Sequence, residues 1–224
     1  MWLSIIIPTL NEAEHIGALL ADLAPLRAAG HELILVDGGS ADATRLLAAS
    51  GVDRVLESQR GRAVQMNAGA QVASGEILWF LHADSRVPPG AAAALFAARA
   101  AGARWGRFDV RLSGRHPLLR LVERAMNARS RLTGIATGDQ GIFVTRDAFA
   151  QVGGFPEIPL MEDLALAQRL RRLARPACLH PPILTSSRRW EMRGVVRTIL
   201  LMWRLRLAYA LGADPARLAR RYAG

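Results

Sequence analysis

Carboxylates stand at the ends of two apolar runs and at the start of a later helical pattern. Asp37 and Asp84 each follow an apolar run, and Glu162-Asp163 opens the helical pattern. A carboxylate at a strand tip can hold Mg²⁺ or Mn²⁺, hard ions that prefer oxygen ligands and bridge to substrate phosphates. Each position also has a structural interpretation: Asp84 can cap a loop, Asp37 can form a turn, and first-turn acids complement a helix dipole.

The run before Asp84 predicts the central strand. Five of the six residues from Ile77 to His82 are apolar, and the run ends in His82-Ala83-Asp84-Ser85 before Pro88-Pro89. Such a run is typical of a strand that is buried on both faces of a parallel sheet. Ligands of open α/β sheets bind at the carboxyl ends of the strands, so an acid there is placed to meet one.

Strand and helix patterns alternate along the chain, which predicts an α/β fold with a mainly parallel sheet flanked by helices. The predicted strands are Leu3–Ile7, Glu32–Val36, Arg54–Glu57, Glu76–His82, Trp105–Leu112 and Gly141–Thr145. The main predicted helices are Asn11–Ala29, Arg62–Ala73, Ala91–Ala101, Pro117–Leu132 and Met161–Leu173, with a shorter one that ends at Ser50 and a helical turn at Ala148–Val152. Asn11 and Glu14 match a capping box, and Gly134–Gln140 is expected to be a mobile loop.

The length of 224 residues and the 51% hydrophobic content fit one domain with a sizeable core. The single cysteine, Cys178, allows no internal disulfide and fits a reducing compartment. Met1–Ile5 lacks a basic leader, so we expect it to form the first strand and the protein to be cytoplasmic.

The net charge of +10 lies entirely in the last quarter of the chain. Residues 1–170 hold 17 Arg and 17 acids, whereas residues 171–224 hold 12 Arg and 2 acids. This imbalance favours an acidic partner such as anionic lipid, nucleic acid or phosphate; the alternative is a solvated or internally paired arginine face.

The segment Arg193–Leu211 is apolar but interrupted by arginines, so it falls short of the ~20 apolar residues that a spanning helix needs. Arg193, Arg197 and Arg204 fall on one helical face, and Arg206 falls on the other. The pattern predicts a helix that lies on the inner face of the cell membrane, or an ordinary amphipathic helix packed on the sheet.

Several site types are excluded. The turn after the first strand, Pro8–Glu12, has no glycine, which excludes a dinucleotide fingerprint, and a chain without lysine cannot carry a P-loop. The histidines and Cys178 lack zinc-ligand spacing, and no G-x-S-x-G elbow is present.

The order of the remaining motifs resembles that of the family 2 glycosyltransferases, which have the GT-A fold, over roughly residues 3–190. The resemblance rests on Ile6–Glu12, Val36–Asp42, Asn67-Ala68-Gly69, Ala73-Ser74-Gly75, His82-Ala83-Asp84, Gly153-Gly154-Phe155, and Glu162-Asp163 with Arg169. Two segments depart from the family: His82 replaces the first acid of Asp-x-Asp, and Ser186–Trp190 lacks the glutamine of Q-x-x-R-W. Together with Gly138–Gly141, these departures resemble a small bacterial subfamily associated with radical-SAM and arsenosugar gene clusters.

The resemblance implies an inverting, metal-dependent transfer of a sugar from a nucleotide-diphosphate sugar to a hydroxyl acceptor, small or lipid-linked. It assigns to the nucleotide-sugar Pro8, Thr9, Asn11, Glu12, Asp37, Ala83 and Asp84. Guanidinium groups match phosphate oxygens, so Arg62, Arg188 and Arg189 are candidates for the diphosphate; the alternative for Arg62 is a solvated surface arginine. Mg²⁺ or Mn²⁺ would be bound by Asp84, with His82 as a weak or indirect ligand or as a packing residue. Asp163 would be the general base with Glu162 beside it.

We expect the acceptor to contact Gly138, Asp139 and Gln140, which lie on the expected mobile loop, and Trp190, which can stack on a sugar; core packing is the alternative for Trp190. We expect residues 1–190 to form the catalytic domain and residues 191–224 to form basic amphipathic helices packed on or next to it, with no nucleic-acid partner. The competing hypotheses are a sugar nucleotidyltransferase, whose glycine-rich loop is missing here, and a non-catalytic relative that His82 has deprived of metal binding.

Overall fold

The computed structural model describes residues 2–223, and the side chains of residues 2–222. The strands are β1 (Leu3–Thr9), β2 (Glu32–Asp37), β3 (Arg54–Glu57), β4 (Ile77–Phe80), β5 (Trp105–Leu112), β6 (Phe143–Thr145) and β7 (Ala177–Thr185). The helices are α1 (Ile16–Ala28), α2 (Thr44–Ala48), α3 (Arg62–Val72), α4 (Ala91–Ala100), α5 (Pro117–Thr133), α6 (Arg146–Gln151), α7 (Glu162–Leu173), α8 (Arg188–Arg193), α9 (Val195–Ala210) and α10 (Pro215–Ala223).

The seven strands form one mixed, mainly parallel sheet in the order β3-β2-β1-β4-β6-β5-β7. β6 runs antiparallel to its neighbours β4 and β5, and the other pairs are parallel. This confirms the predicted fold class. Because β1, β2 and β4 are parallel neighbours, the loops that follow them meet at one edge of the sheet.

The central strands are buried because they carry apolar side chains on both faces. Leu3, Ile5 and Ile7 of β1 pack into one hydrophobic cluster, and Ile6 packs into the other, as the two-residue period of a strand requires. All seven residues of β1 and all four of β4 are buried. The helices therefore cover both faces of the sheet.

Two of the short motifs hold α3 in place. A Cβ on Gly69 would lie 2.6 Å from Cγ2 of Ile6, so only glycine lets α3 lie this close to β1. The Asn67 side chain bonds the backbone of Phe155 in both directions, at 2.9 and 3.0 Å. These contacts fix α3 and the segment at Phe155 that leads to α7 relative to the sheet.

The predicted start of the first helix is wrong. α1 begins at Ile16, and Asn11 has φ +55°, a left-handed conformation that asparagine tolerates. Its Oδ1 accepts a hydrogen bond from the Ala41 amide at 2.9 Å, and its own amide donates to Ser40 Oγ at 2.9 Å. Asn11 thus ties the loop after β1 to the loop after β2 and does not cap a helix.

Strand β7 was not predicted, because its sequence contains Pro181-Pro182. It pairs with β5 at the end of the sheet, and an edge strand tolerates prolines because one side of it needs no donor. Its residue Leu184 also forms an isolated antiparallel bridge with Arg86, which anchors the loop after β4.

The segment expected to be a mobile loop contains a 3-10 turn, Gly138–Gln140. Thr137 and Gln140 bond each other reciprocally at this turn, and Gln140 is fully buried. Buried side-chain hydrogen bonds therefore hold the segment against α5.

The C-terminal helices pack against the residues just before α7 and in its first turn. Leu205 of α9 and Leu218 of α10 are 2% and 1% exposed and share a cluster with Leu160, Met161 and Leu164. α8 spans the expected domain boundary at residue 190. None of the helices within residues 2–223 combines the length and apolarity needed to cross a membrane.

Candidate active site

A cavity of about 680 Å³ opens where β1 and β4 end, beneath the C-terminal helices. The predicted site residues that line it are Pro8, Thr9, Glu12, Arg62, His82, Ala83, Asp84, Asp139, Arg188, Arg189 and Trp190. They come from the loops after β1 and β4, the N-terminus of α3, the 3-10 turn and α8. The parallel sheet thus brings together residues that are up to 182 positions apart, from Pro8 to Trp190.

The carboxylates of Glu12 and Asp84 bring two negative charges into this cavity. One buried oxygen of Glu12, Oε2, accepts no hydrogen bond. Burial and the negative charge of Asp84 raise the pKa of Glu12 above its ordinary value, against the charges of His15, Arg188 and His82. An unsatisfied carboxylate oxygen beside a second carboxylate is a site that a cation would stabilise.

The carboxylates in the cavity fit a metal ion whose remaining ligands come from substrate and water. No three His, Cys, Asp or Glu side chains within residues 2–223 are grouped closely enough to hold an ion alone. Mg²⁺ is commonly held by one or two carboxylates plus substrate phosphates, which is what Asp84 and Glu12 offer.

His82 and Asp139 form a pair on the cavity wall. His82 Nδ1 lies 3.3 Å from Asp139 Oδ1, and the side chains are 16% and 46% exposed. Burial alone would lower the pKa of His82, but the hydrogen bond and charge of Asp139 outweigh it and raise that pKa. Asp139 therefore holds His82 on the cavity wall near Asp84.

The acids at the start of α7 lie next to His82 but outside the large cavity. Glu162 and Asp163 line a void of about 10 Å³, which they share with His82 and Gly138, and not the large cavity. Asp163 accepts hydrogen bonds from the amides of Gly138 at 2.8 Å and Leu164 at 2.7 Å. Asp163 is half-buried, directly behind the 3-10 turn.

Glu162 is buried with half of its carboxylate unsatisfied. Its Oε1 pairs with Arg62 Nε at 2.9 Å, whereas Oε2 is buried without a hydrogen-bond partner. Burial raises the pKa of Glu162 and the Asp163 charge adds to the rise, while Arg62 opposes it. The pair links the cavity wall at α3 to the start of α7.

The residue before these acids has a strained backbone. Met161 has φ +71°, a conformation that non-glycine residues rarely adopt, and its side chain is 6% exposed. Packing of Leu160 and Met161 against Leu205 and Leu218 offsets the cost of this conformation. The C-terminal helices therefore help to set the direction in which Glu162 and Asp163 point.

Asp37 does not line the cavity, and its direct contact with base or ribose stays a prediction. It is fully buried, and its oxygens accept bonds from the Gly39 and Ser40 amides and the Ser40 and Thr9 hydroxyls. Burial alone would raise the pKa of Asp37, but these bonds outweigh it and hold that pKa below its ordinary value. The residue forms the turn after β2.

Three other predicted contacts also lie elsewhere. Gln140 is buried, and its amide donates to Ser130 Oγ at 3.0 Å while its Oε1 accepts from the Thr137 amide at 3.2 Å. Asn11 is used in the loop contact described above. Gly138 lies behind His82, where a Cβ would be 2.6 Å from His82 Nε2.

The structure adds site residues that sequence reasoning missed. Gln65 lines the cavity and donates to the carbonyls of Thr9 and Val36, both at 2.8 Å. Its place one helical turn after Arg62 was the only sequence signal. Tyr222 lines the cavity from α10, with the Arg189 guanidinium 3.9 Å from its ring centre; no local pattern predicts this contact.

Two further arginines lie near Asp163. Arg129 of α5 has buried Nε and Nη2 atoms without partners, and burial followed by the charge of Arg206 lowers the pKa of Arg129 to about 10. Burial also lowers the pKa of Arg206, while the charges of Asp163 and Asp139 oppose the change. Arg206, the arginine that breaks the helical pattern of α9, thus faces the site.

Comparisons with known proteins agree with this geometry. The family model described as glycosyl transferase family 2 matches residues 4–152. Over 88 residues the chain is 40% identical to a PGL/p-HBAD biosynthesis glycosyltransferase of Mycobacterium tuberculosis, a stretch that is 36% of this chain and 34% of that protein. The chain therefore matches about a third of the length of this relative.

Two solved structures with the same fold contain a nucleotide-sugar, or a nucleotide with a divalent metal. S. aureus TarS 1–349 in complex with UDP-GlcNAc has a TM-score of 0.69 at 19% identity, over 83% of this chain and 58% of that one. Glucosyl-3-phosphoglycerate synthase from M. tuberculosis, in complex with Mn²⁺, UDP and glucosyl-3-phosphoglycerate, has a TM-score of 0.61 at 20% identity, over 82% and 70%. At these identities the likeness shows the GT-A fold. With the family model covering about two-thirds of its length, the chain belongs to glycosyl transferase family 2.

Proposed function

We propose that this protein transfers a sugar from a nucleotide-diphosphate sugar to a hydroxyl acceptor with inversion at the anomeric carbon. One observation carries the proposal: a single cavity joins carboxylates at the strand ends to an arginine-rich wall. Family membership and the UDP-sugar named in the TarS complex support it.

The donor diphosphate fits between the arginine wall and the two carboxylates. Arg188 and Arg189 form no ion pair with an acid within residues 2–223, and guanidinium groups match phosphate oxygens. Asp84 and Glu12 would hold Mg²⁺ or Mn²⁺, which supplies positive charge to stabilise the leaving diphosphate. Arg62 also lines this cavity, although its Nε pairs with Glu162.

Asp163 would take the proton from the acceptor hydroxyl. A single base without a covalent nucleophile fits a single displacement, which inverts the configuration. In this structure Asp163 lines the small void that it shares with His82 and Gly138, and it does not line the large cavity. Substrate binding must therefore move the His82 ring or the 3-10 turn before the hydroxyl can reach Asp163 Oδ2.

The acceptor would enter along Asp139 and Trp190, which both line the cavity. Such an acceptor can be a small molecule or a lipid-linked one. The narrower assignment to the radical-SAM and arsenosugar-associated subfamily rests on His82-Ala83-Asp84, Gly138–Gly141 and Ser186–Trp190, and belongs to the same proposal.

The decisive experiment compares wild type with Asp84→Asn on a panel of nucleotide-sugars, with and without Mn²⁺. We expect wild type to release nucleotide diphosphate in a Mn²⁺-dependent reaction, and Asp84→Asn to lose about 10³-fold of it, since a metal supplies several kcal/mol. Proton NMR of the first-formed sugar anomer would show inversion.

Asp147→Asn is the matched control, because Asp147 is an exposed acid on α6 that lines neither cavity. Wild type that binds nucleotide-sugars but hydrolyses none would favour the non-catalytic hypothesis. Release of pyrophosphate from a nucleoside triphosphate and a sugar phosphate would favour the nucleotidyltransferase. Unchanged turnover of Asp84→Asn that still needs Mn²⁺ would place the metal elsewhere.

A further inference from the structure

Helix α9 exposes a continuous apolar stripe. Val196, Leu200, Trp203 and Leu207 are 58%, 50%, 71% and 63% exposed, and Leu211, just past the helix, is 79% exposed. At about 100° per residue these five side chains fall within an arc of about 80°. The buried residues of α9 are Val195, Thr198 and Leu205, and all three lie outside this arc. The helix therefore packs on the protein with one face and leaves a second apolar face in solvent.

A cavity of about 600 Å³ lies beside this stripe and contains four arginines but no acid. Its lining consists of Arg193, Val196, Arg197, Thr198, Leu200, Leu201, Arg204 and Arg221. Arg197, Arg204 and Arg221 are exposed, and they form no ion pair with an acidic side chain within residues 2–223. Uncompensated cations next to exposed apolar side chains fit a ligand that is both anionic and apolar.

The surroundings of the stripe favour a bilayer over the other occupants. A second copy meeting this face through two-fold symmetry would bring Arg197 and Arg204 against the same arginines, and like charges repel. Nucleic acid would satisfy the arginines but would leave Trp203 and Leu207 in water. An anionic lipid surface satisfies both sets of side chains.

We propose that α9 docks the protein on an anionic membrane surface. The stripe inserts at the boundary between headgroups and acyl chains, and Arg197, Arg204 and Arg221 bind lipid phosphates in the adjoining cavity. Arg193 and Thr198 line both this cavity and the active-site cavity, so docking would bring the mouth of the active site to the bilayer. The docking does not depend on sugar transfer.

The test is sedimentation of the full chain with vesicles, without any sugar donor. We compare neutral phosphatidylcholine vesicles with vesicles that also contain phosphatidylglycerol, each at low and high salt. The expected result is binding to the anionic vesicles at low salt, much weaker binding at high salt because salt screens exposed charges, and little binding to neutral vesicles.

Two pairs of variants locate the surface. Arg197→Gln with Arg204→Gln should weaken the partition coefficient about 30-fold, since each basic side chain near an anionic surface contributes about fivefold. The matched control, Arg172→Gln with Arg175→Gln, removes the same charge from exposed positions outside α9. Trp203→Gln should weaken binding, whereas Trp2→Gln, at a tryptophan 50% exposed on the N-terminal side, should not.

Three results would overturn the proposal. The protein could stay in the supernatant under every condition, or both arginine pairs could reduce binding equally, which would indicate net charge alone. Inorganic phosphate could also displace the protein where chloride of matched ionic strength does not, which would assign the cavity to a free anion. Thermal unfolding of each variant confirms that the exposed substitutions leave the fold intact. Failure of the transferase assay would leave this result unaffected, and failure here would leave the transferase assay unaffected.

Discussion

The acid at the end of β2 and the acids at the start of α7 differ in how the fold uses their carboxylate oxygens. Asp37 accepts four hydrogen bonds within its own turn and with Thr9. Glu162 keeps one buried oxygen unsatisfied, and Asp163 accepts one amide on each oxygen. A carboxylate whose lone pairs are used by the fold stabilises architecture, whereas one with capacity left can act on a ligand.

The same contrast appears in the backbone. The turn at Asp37 uses glycine where φ is positive, at Gly39 (φ +89°), so it carries no strain. The start of α7 instead holds Met161 at φ +71° and depends on α9 and α10 to keep it there. The α7 acids are therefore positioned by tertiary packing, and their direction is coupled to the C-terminal helices.

The strongest test of this contrast is Asp163→Asn. If Asp163 is the base, the variant should lose about 10²–10⁴-fold in kcat, the usual contribution of a positioned acid–base group. Donor affinity measured by calorimetry should be unchanged, because the base acts on the acceptor. Asp147→Asn, at another first-turn acid, should keep full turnover; a loss of donor binding in Asp163→Asn would move that residue to the donor site.

Gly138→Ala tests whether the 3-10 turn separates the cavity from Asp163. The added Cβ would lie 2.6 Å from His82 Nε2, so the ring or the turn must shift. We expect about a 10-fold or greater loss in kcat, because a shifted turn displaces the Gly138 amide that bonds Asp163 and so misplaces the base. Gly17→Ala on α1 is the control, since its Cβ meets nothing within 4 Å. Equal kinetics for the two variants would contradict the role of this wall.

Asp37→Asn should act on stability and not on chemistry. The new amide group would face donors where an oxygen now accepts, which should cost about 1–3 kcal/mol in the free energy of unfolding. Urea unfolding measures this cost, and kcat at a temperature where the variant is folded should match wild type. A large fall in kcat with full stability would return Asp37 to the substrate site.

The pH dependence of stability should separate the two kinds of acid with the smallest effect. The pKa of Asp37 is lowered in the fold, so its contribution is present above its ordinary value of 3.8 and is lost as pH falls through the folded pKa. The pKa of Glu162 is raised by burial, so its carboxylate destabilises the fold increasingly as pH rises from its ordinary value of 4.5 through the folded pKa.

Glu162→Gln should therefore gain stability relative to wild type as pH rises through that window, by less than about 1 kcal/mol because the Arg62 pair offsets part of the burial cost. Asp37→Asn should instead lose stability relative to wild type as pH rises from below the folded pKa of Asp37 to its ordinary value of 3.8, and should keep that deficit at higher pH. Unfolding curves from about pH 2 to pH 7 measure both differences. Parallel curves for the two variants would remove the distinction between the acids.

The sequence predicted the elements whose causes are local. The alternation of strand and helix patterns predicted the parallel sheet, and Arg54–Glu57 and Trp105–Leu112 begin and end as expected. The edge strand β7 was missed because its prolines argue against a strand unless its edge position is known. The predicted cap at Asn11 failed because its side chain bonds Ala41, a partner 30 residues away.

The sequence by itself determined the fold class, the acids at the strand ends and the basic C-terminal quarter, because hydrophobic period and charge are written residue by residue. Only the tertiary structure decided which acids remain available. The Asp37 carboxylate and the Gln140 amide are used by hydrogen bonds within the fold, while Glu12 and Glu162 each keep an unsatisfied oxygen. Tyr222 and Arg206 reach the site only because α9 and α10 fold back over it. Hydrogen-bond partners and burial are properties of distant segments brought together, and no local pattern encodes them.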